Sequence, residues 1–216
     1  MFDVVIKDGE VYSGDKQPKI LNIGIIKDRI NYIGKDNISG HKVINAKGYI
    51  VSPGFIDVHT HSDLSFNIDP DADSKLIQGV TFELMGNCGM SFCAPLSPNT
   101  KPQLQDRMDR QGIDIEIKWN DFNGWLDEIS NKIPSINVAA QIGHGSLRAY
   151  VMGMEARNPS PDEIFKMQEE IRRSIDQGVL GFSTGLWYAP GSYSHTEEIV
   201  ELAKIASEYS LLYSSH

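Results

Sequence analysis

The sequence has few cysteines, no long apolar run and no block of basic residues, and each shortage excludes a class of protein. Two cysteines in 216 residues cannot build the disulfide framework of a small secreted domain. No apolar stretch approaches the roughly 20 residues that span a bilayer, and the N-terminus lacks the pattern of a secretory signal. With a formal charge of −9, neither nucleic acid nor a membrane surface is an expected partner. We therefore expect a cytoplasmic protein.

The pattern of apolar segments changes near residue 52, which predicts two domains, 1–52 and 53–216. The first part contains short apolar segments separated by turn residues, as in a small β-structure. From Pro53 onward, five apolar runs end near residues 61, 86, 144, 185 and 216, and helical patterns lie between them. The clearest helix begins at Ser160, where Glu163 completes a capping box. Residues 87–120 show no clear period and are expected to form a long functional loop.

Alternating strands and helices predict α/β structure with a parallel sheet, either doubly wound or a (β/α)8 barrel. No Gly-rich fingerprint follows a strand, which weakens the dinucleotide-binding form of the doubly wound fold. A complete barrel usually needs about 250 residues and eight strands. Because residues 53–216 supply only five strand candidates, we expect the chain to be part of a longer protein.

The segment YIVSPGFIDVHTHSD, residues 49–63, ends an apolar strand with two histidines. Side chains alternate along a strand, so His59 and His61 point the same way, about 6.6 Å apart. Two imidazoles in that position can share a metal ion. The alternative is a pair of surface histidines where the strand emerges.

Other polar residues at the strand ends favour the metal interpretation. Cys88, His144 and His216 follow three further strands, so four of the six histidines lie at such ends. In parallel α/β folds, chemistry collects at the carboxyl ends of the strands. The Cys88 thiolate would be a good zinc ligand and could bridge two ions, although most cysteines are simply buried small side chains.

Four residues near these ends have possible supporting roles. His144 could contact a substrate, or it could join neighbouring loops. The Tyr188 phenol could bind a substrate carboxylate. Asp57 and Asp63 flank the histidine pair and could accept hydrogen bonds from the imidazoles.

Several motifs resemble those of the amidohydrolase superfamily. SPGFIDVHTHSD resembles its opening strand, and GVTFELMGNCGMSFCAPL, GHGSLRAYVMG and GFSTGLWYAPGSYSHTEE are similar to the N-acyl-D-amino-acid deacylase (D-aminoacylase) branch. The resemblance implies a metal-dependent (β/α)8 barrel, of which about the first five strands are present, and a small β-sandwich to which residues 1–52 contribute.

The resemblance also implies the site. His59 and His61 match ligands of one zinc ion, Cys88 and His216 match ligands of another, and Cys88 is able to bridge them, with one or two ions bound. Tyr188 matches a residue near the substrate carboxylate. The remaining zinc histidine and the catalytic aspartate are expected beyond residue 216, so no catalytic residue is assigned within this chain and the piece alone is expected to be inactive.

One departure from the wider superfamily favours the deacylase branch. Relatives resembling hydantoinase bridge two ions with a carboxylated lysine after the fourth strand, whereas this strand reads VLGFSTG without lysine. The implied reaction is zinc-dependent hydrolysis of small N-acyl-D-amino acids to a carboxylate and a free D-amino acid. The alternatives are a cyclic amide or isoaspartyl dipeptide as substrate, and a metal-binding barrel without catalysis. The oligomeric state is left open.

Overall fold

A computed structural model describes residues 1–12, 14 and 17–216. The chain divides into two compact units, Met1–Gly54 and Phe55–His216. This division falls two residues after the boundary expected from the sequence. That the first unit belongs to a β-sandwich domain stays a prediction.

The first unit is a single five-stranded sheet. Its strands are β1 (Phe2–Val11), β2 (Lys19–Ile26), β3 (Arg29–Gly34), β4 (Gly40–Asn45) and β5 (Ile50–Val51). The central strand β1 pairs antiparallel with β2 and parallel with β4 and β5, and β3 extends the sheet beyond β2. Val5 and Val11 of β1 and Ile23 of β2 are buried and supply the small apolar face of this sheet.

The second unit is built on five parallel strands: β6 (Phe55–Asp57), β7 (Val80–Met85), β8 (Asn137–Gly143), β9 (Gly181–Thr184) and β10 (Leu212–Ser215). Their spatial order is β10-β9-β8-β7-β6, so each strand pairs with its neighbour in the chain. A doubly wound sheet would reverse its strand order at a switch point. This sheet does not reverse, so its strand order is that of a barrel and not of a doubly wound sheet.

Helices connect these strands. They are α1 (Ser65–Ile68), α2 (Asp73–Leu76), α3 (Thr100–Arg110), α4 (Phe122–Lys132), α5 (His144–Met152), α6 (Pro161–Asp176) and α7 (Thr196–Glu208), with a 3-10 turn at Gly191–Tyr193. The predicted capping box of α6 is present: the Glu163 amide donates to Ser160 Oγ (3.3 Å), and Glu163 Oε2 accepts from the Ser160 amide (2.8 Å). No helix among the described residues is long and apolar enough to cross a membrane.

The core lies between the parallel sheet and these helices. Its fully buried members include, from the strands, Met85, Ile142 and Phe182, and, from the helices, Trp125, Met167 and Leu202. Burial of such side chains stabilises the fold by about 1.5–3 kcal/mol each. Packing against the helices holds the strands in place, and therefore determines where their carboxyl ends lie relative to one another.

The expectation of one long loop over residues 87–120 is wrong in part. Helix α3 occupies Thr100–Arg110 and buries Leu104 and Met108. Two apolar residues four positions apart are a weak signal in an otherwise polar segment, so the sequence pattern did not predict this helix. The two ends of the segment are also joined, since Trp119 donates its indole N–H to the Cys93 carbonyl.

Candidate metal centre

Four predicted metal ligands converge at the carboxyl edge of the parallel sheet. The ligand atoms of His59, His61 and Cys88 all lie within 4.8 Å of one another. His59 Nε2 is 3.1 Å from Cys88 Sγ, which is 3.3 Å from His216 Nδ1. The ring centroid of His59 lies 5.7 Å from that of His61 and 5.0 Å from that of His216. We refer to these four residues as the thiol–histidine cluster.

Three strands position this cluster. His59 and His61 follow β6, Cys88 follows β7 and His216 follows β10. Between the two histidines, Thr60 is buried, and its amide donates to the Leu84 carbonyl (3.3 Å). Thr60 is thus turned inward, while His59 and His61 on either side of it are exposed.

Cys88 sits in a tight turn with unusual backbone geometry. Its φ is +55°, and those of Gly86 and Gly89 are +74° and +69°. This left-handed conformation costs a residue with a side chain about 1–3 kcal/mol and persists only where the surroundings enforce it. A Cβ at Gly86 would collide with the Gln141 carbonyl, and one at Gly185 would collide with the Cys88 carbonyl. The turn is therefore seated against the backbone of the neighbouring strands.

The Asn87 side chain joins this turn to its neighbours. It donates to the carbonyls of Leu84 (2.8 Å) and Thr60 (3.3 Å), and its Oδ1 accepts from Gln141 Nε2 (3.1 Å). Asn87 and Gln141 are buried, and a buried amide with several partners orders the segments that it connects. The sequence marks Asn87 only by its place at a strand end.

The surroundings of His61 and Cys88 favour the uncharged forms of these two side chains. Partial desolvation lowers the pKa of His61, and the neighbouring His59 and His216 lower it further. Burial raises the pKa of the Cys88 thiol. An imidazole that resists protonation keeps a lone pair free for a cation, and a cation in turn favours the thiolate.

Asp57 and Asp63 have partners other than the imidazoles. Asp57 Oδ1 accepts from the backbone amide of His59 (3.2 Å), and its Oδ2 pairs with Lys75 Nζ at 2.8 Å, which lowers the pKa of Asp57. Asp63 is fully buried and accepts from the Phe92 amide (3.1 Å); burial raises its pKa to about 6. Asp57 therefore holds the backbone of His59, and Asp63 joins the chain after His61 to the backbone of Phe92.

His144 lies outside the cluster. It is fully buried, and its Nε2 is 2.8 Å from Glu198 Oε1, while the second oxygen of Glu198 binds the fully buried Arg148. We refer to His144, Arg148 and Glu198 as the buried ion network. It joins α5 to α7, and its contacts support the structural interpretation of His144. The expected contact with substrate stays a prediction.

Sequence reasoning missed the other two members of this network, although a signal was present. Glu198 lies four positions before Leu202 and seven before Ile205, both buried on α7. Arg148 lies four positions before the buried Met152 on α5. A charged residue on an apolar helical face predicts a buried partner.

Tyr188 is placed where a ligand can reach it. It follows β9, is about half exposed (47%), and its carbonyl accepts from the Ser192 amide (2.8 Å). Beside it, Trp187 is 88% exposed. The loop thus presents two aromatic side chains to solvent.

Successive parallel βα units that bring three imidazoles and a thiol to the carboxyl edge have the layout of a metal-binding barrel protein. The chain belongs to the amidohydrolase family, whose sequence profile matches residues 42–206.

Two curated relatives are similar over essentially the whole chain. D-aminoacylase of Alcaligenes xylosoxydans xylosoxydans is 33% identical over 100% of this chain and 44% of its own length. N-acyl-D-glutamate deacylase of the same organism is 36% identical over 99% of this chain and 43% of its own length. The chain therefore spans less than half the length of these relatives.

Solved structures show the same relationship. A crystal structure of D-aminoacylase superposes with a TM-score of 0.88 at 33% identity, covering 100% of this chain and 45% of the other. N-acyl-D-glutamate deacylase from Bordetella bronchiseptica, complexed with zinc and a phosphonate mimic of the tetrahedral intermediate, gives 0.87 at 34% identity over the same shares.

Proposed function

We propose that the complete protein hydrolyses the amide bond of N-acyl-D-amino acids, yielding a carboxylate and a free D-amino acid, with zinc bound at the thiol–histidine cluster. The observation that carries this proposal is the position of Cys88 Sγ, 3.1 Å from His59 and 3.3 Å from His216. The preference for D-amino acids is supported by the similarity to the two deacylases alone.

The donor set fits zinc. Imidazole nitrogen and thiolate sulfur are the ligands that zinc most often takes in proteins. Cys88 faces His59 on one side and His216 on the other, which suits a sulfur shared by two ions. D-aminoacylase has a binuclear metal centre, and we propose one or two zinc ions here, with His59 and His61 at one position and Cys88 and His216 at the other.

Zinc, when bound, supplies Lewis-acid activation of water and of the amide carbonyl. The residues of this chain hold and orient the reacting groups. The pKa of His61 is lowered, which favours the neutral imidazole that would ligate a metal, and the Cys88 thiol would lose its proton on binding a cation. The exposed phenol of Tyr188 is proposed to donate to the substrate carboxylate.

We assign no proton transfer to residues 1–216. The aspartate that would carry the proton to the leaving amine is proposed to lie in the remainder of the complete protein.

A cytoplasmic location fits the proposed zinc site, because Cys88 and Cys93 are free thiols and a zinc-binding thiolate must stay reduced.

The test is hydrolysis of paired N-acetyl-D- and N-acetyl-L-amino acids by the full-length protein with zinc supplied. The leucine and glutamate pairs come first, because the curated relatives include a D-glutamate deacylase. Cleavage of the D series alone supports the proposal. A folded, zinc-loaded protein that cleaves only cyclic amides or isoaspartyl dipeptides would replace the substrate class, and one that cleaves nothing would support a non-catalytic metal-binding barrel.

A further inference from the structure

Ser183 contacts both sides of the turn that carries Cys88. It is fully buried on β9, its hydroxyl donates to the Gly86 carbonyl, and its oxygen accepts from the Gly89 amide at 3.2 Å. A hydroxyl can donate and accept at the same time. One side chain thus binds the residue before Asn87-Cys88 and the residue after it.

This turn needs support from outside itself. Cys88 has a positive φ of 55°, which a residue with a side chain adopts only where its surroundings enforce it. Packing against Gly185 limits where the turn can go, but it leaves polar backbone groups to be satisfied. The Gly89 carbonyl accepts from the Ser146 amide (3.1 Å). The Ser183 hydroxyl accepts from the Gly89 amide and donates to the Gly86 carbonyl.

We propose that Ser183 is a positioning residue for the metal centre, which holds the left-handed turn so that Cys88 Sγ lies between His59 and His216. The role of Ser183 in metal binding rests on the proposed function, whereas its role in holding the turn does not. Ser183 touches neither metal nor substrate; it acts through the backbone of Gly86 and Gly89.

The experiment compares Ser183→Ala with Ser174→Ala in the full-length protein. Ser174 is also fully buried, but its hydroxyl has no hydrogen-bond partner among the residues that the structure describes, so it controls for loss of a buried hydroxyl. The metal-free proteins are treated with iodoacetamide, and labelling of each cysteine is followed by mass spectrometry. The fully buried Cys93 is an internal reference, because global unfolding would expose both thiols.

For Ser183→Ala we expect Cys88 to be alkylated about tenfold faster than in the parent protein, with Cys93 unchanged and Ser174→Ala like the parent. Equal Cys88 rates in all three proteins would overturn the proposal. Cobalt binding is measured in parallel by the thiolate-to-cobalt absorption band, and we expect about 10–100-fold weaker binding in Ser183→Ala. A parent protein without the band would contradict the metal assignment, while the alkylation rates would still decide the role of Ser183.

A second measurement needs no variant, so it remains decisive if Ser183→Ala does not fold. Amide hydrogen exchange of the parent protein should show the Gly89 N–H protected as strongly as the amides of β9, because its acceptor is a buried hydroxyl. Exchange of the Gly89 amide at the rate of an open loop would overturn the proposal.

Discussion

The thiol–histidine cluster and the buried ion network use histidine in opposite ways. In the first, the ligand atoms of exposed His59 and His61 approach a thiol within 4.8 Å. In the second, His144 is fully buried, and its Nε2 meets a carboxylate that also binds Arg148. Exposed imidazoles close to a thiol suit a cation from solution, whereas a buried histidine paired with a carboxylate suits a structural role.

Substitutions in the cluster and in the network should therefore have different effects on metal binding and on stability. Loss of a member of the cluster should remove metal and activity with little change in folding. Loss of a member of the network should reduce the free energy of unfolding and leave the metal content of the folded protein unchanged.

Replacing Cys88 with alanine should have the largest effect. Loss of the sulfur that joins both proposed metal positions should weaken zinc binding in the complete protein beyond the roughly 10–100-fold typical of a residue that only supports a ligand, and turnover should disappear. Zinc content and hydrolysis rate are the measurements, and His216→Ala should behave alike. The control is Cys93→Ala, which removes a buried thiol outside the cluster. Full activity with zinc retained in Cys88→Ala would show that Cys88 is not needed to bind the metal, and would contradict the assignment of the cluster as a metal centre.

Replacing Glu198 with alanine should have the largest effect on stability. It leaves Arg148 and His144 buried without their carboxylate, and breaking such a pair costs about 3–5 kcal/mol. Denaturant unfolding measures this loss, and Glu197→Ala, the exposed neighbour on α7, is the matched control. A fall in zinc content of the folded Glu198→Ala protein would show that the two groups are coupled.

Tyr188 lies outside both groups and sharpens the contrast between binding metal and binding substrate. Tyr188→Phe removes the proposed hydrogen bond to the substrate carboxylate, and a hydrogen bond to a charged group is worth about 1.5–3 kcal/mol. We expect KM to rise about tenfold or more, with zinc content and unfolding unchanged. Trp187→Phe, at the adjacent exposed position, is the control. An unchanged KM would exclude Tyr188 from substrate binding.

The pH dependence of stability gives the smallest and most specific effect. Burial raises the pKa of Glu198, but hydrogen bonds from His144 and Arg148 lower it more, so its pKa in the folded protein is below the usual value. Its contribution is present above the pKa of the unfolded chain and is lost as the pH falls through the folded pKa. Below about pH 5, the free energy of unfolding should therefore decline less steeply in Glu198→Gln, whose side chain cannot titrate. Parallel declines in both proteins would contradict this account of the network.

The sequence predicted the parts of the molecule that local pattern determines. The five parallel strands, the capping box at Ser160 and the convergence of His59, His61, Cys88 and His216 follow from periodicity and from the rule that parallel strands end at one edge. Helix α3 was missed because Leu104 and Met108 give only a weak helical period. The partners of His144 were missed although Glu198 lies on an apolar helical face, because the sequence does not show which buried residues meet across two helices. The role of Ser183 could not be predicted from the sequence, since its bonds to Gly86 and Gly89 join segments about 95 residues apart.

X-ray absorption at the zinc edge of the zinc-loaded, full-length protein tests the central claim most directly. The account predicts a sulfur neighbour at about 2.3 Å together with nitrogen neighbours at about 2.0–2.1 Å, and loss of the sulfur signal in Cys88→Ala. A shell of nitrogen and oxygen alone in the parent protein would show that Cys88 is not a ligand and would contradict the thiol–histidine metal centre.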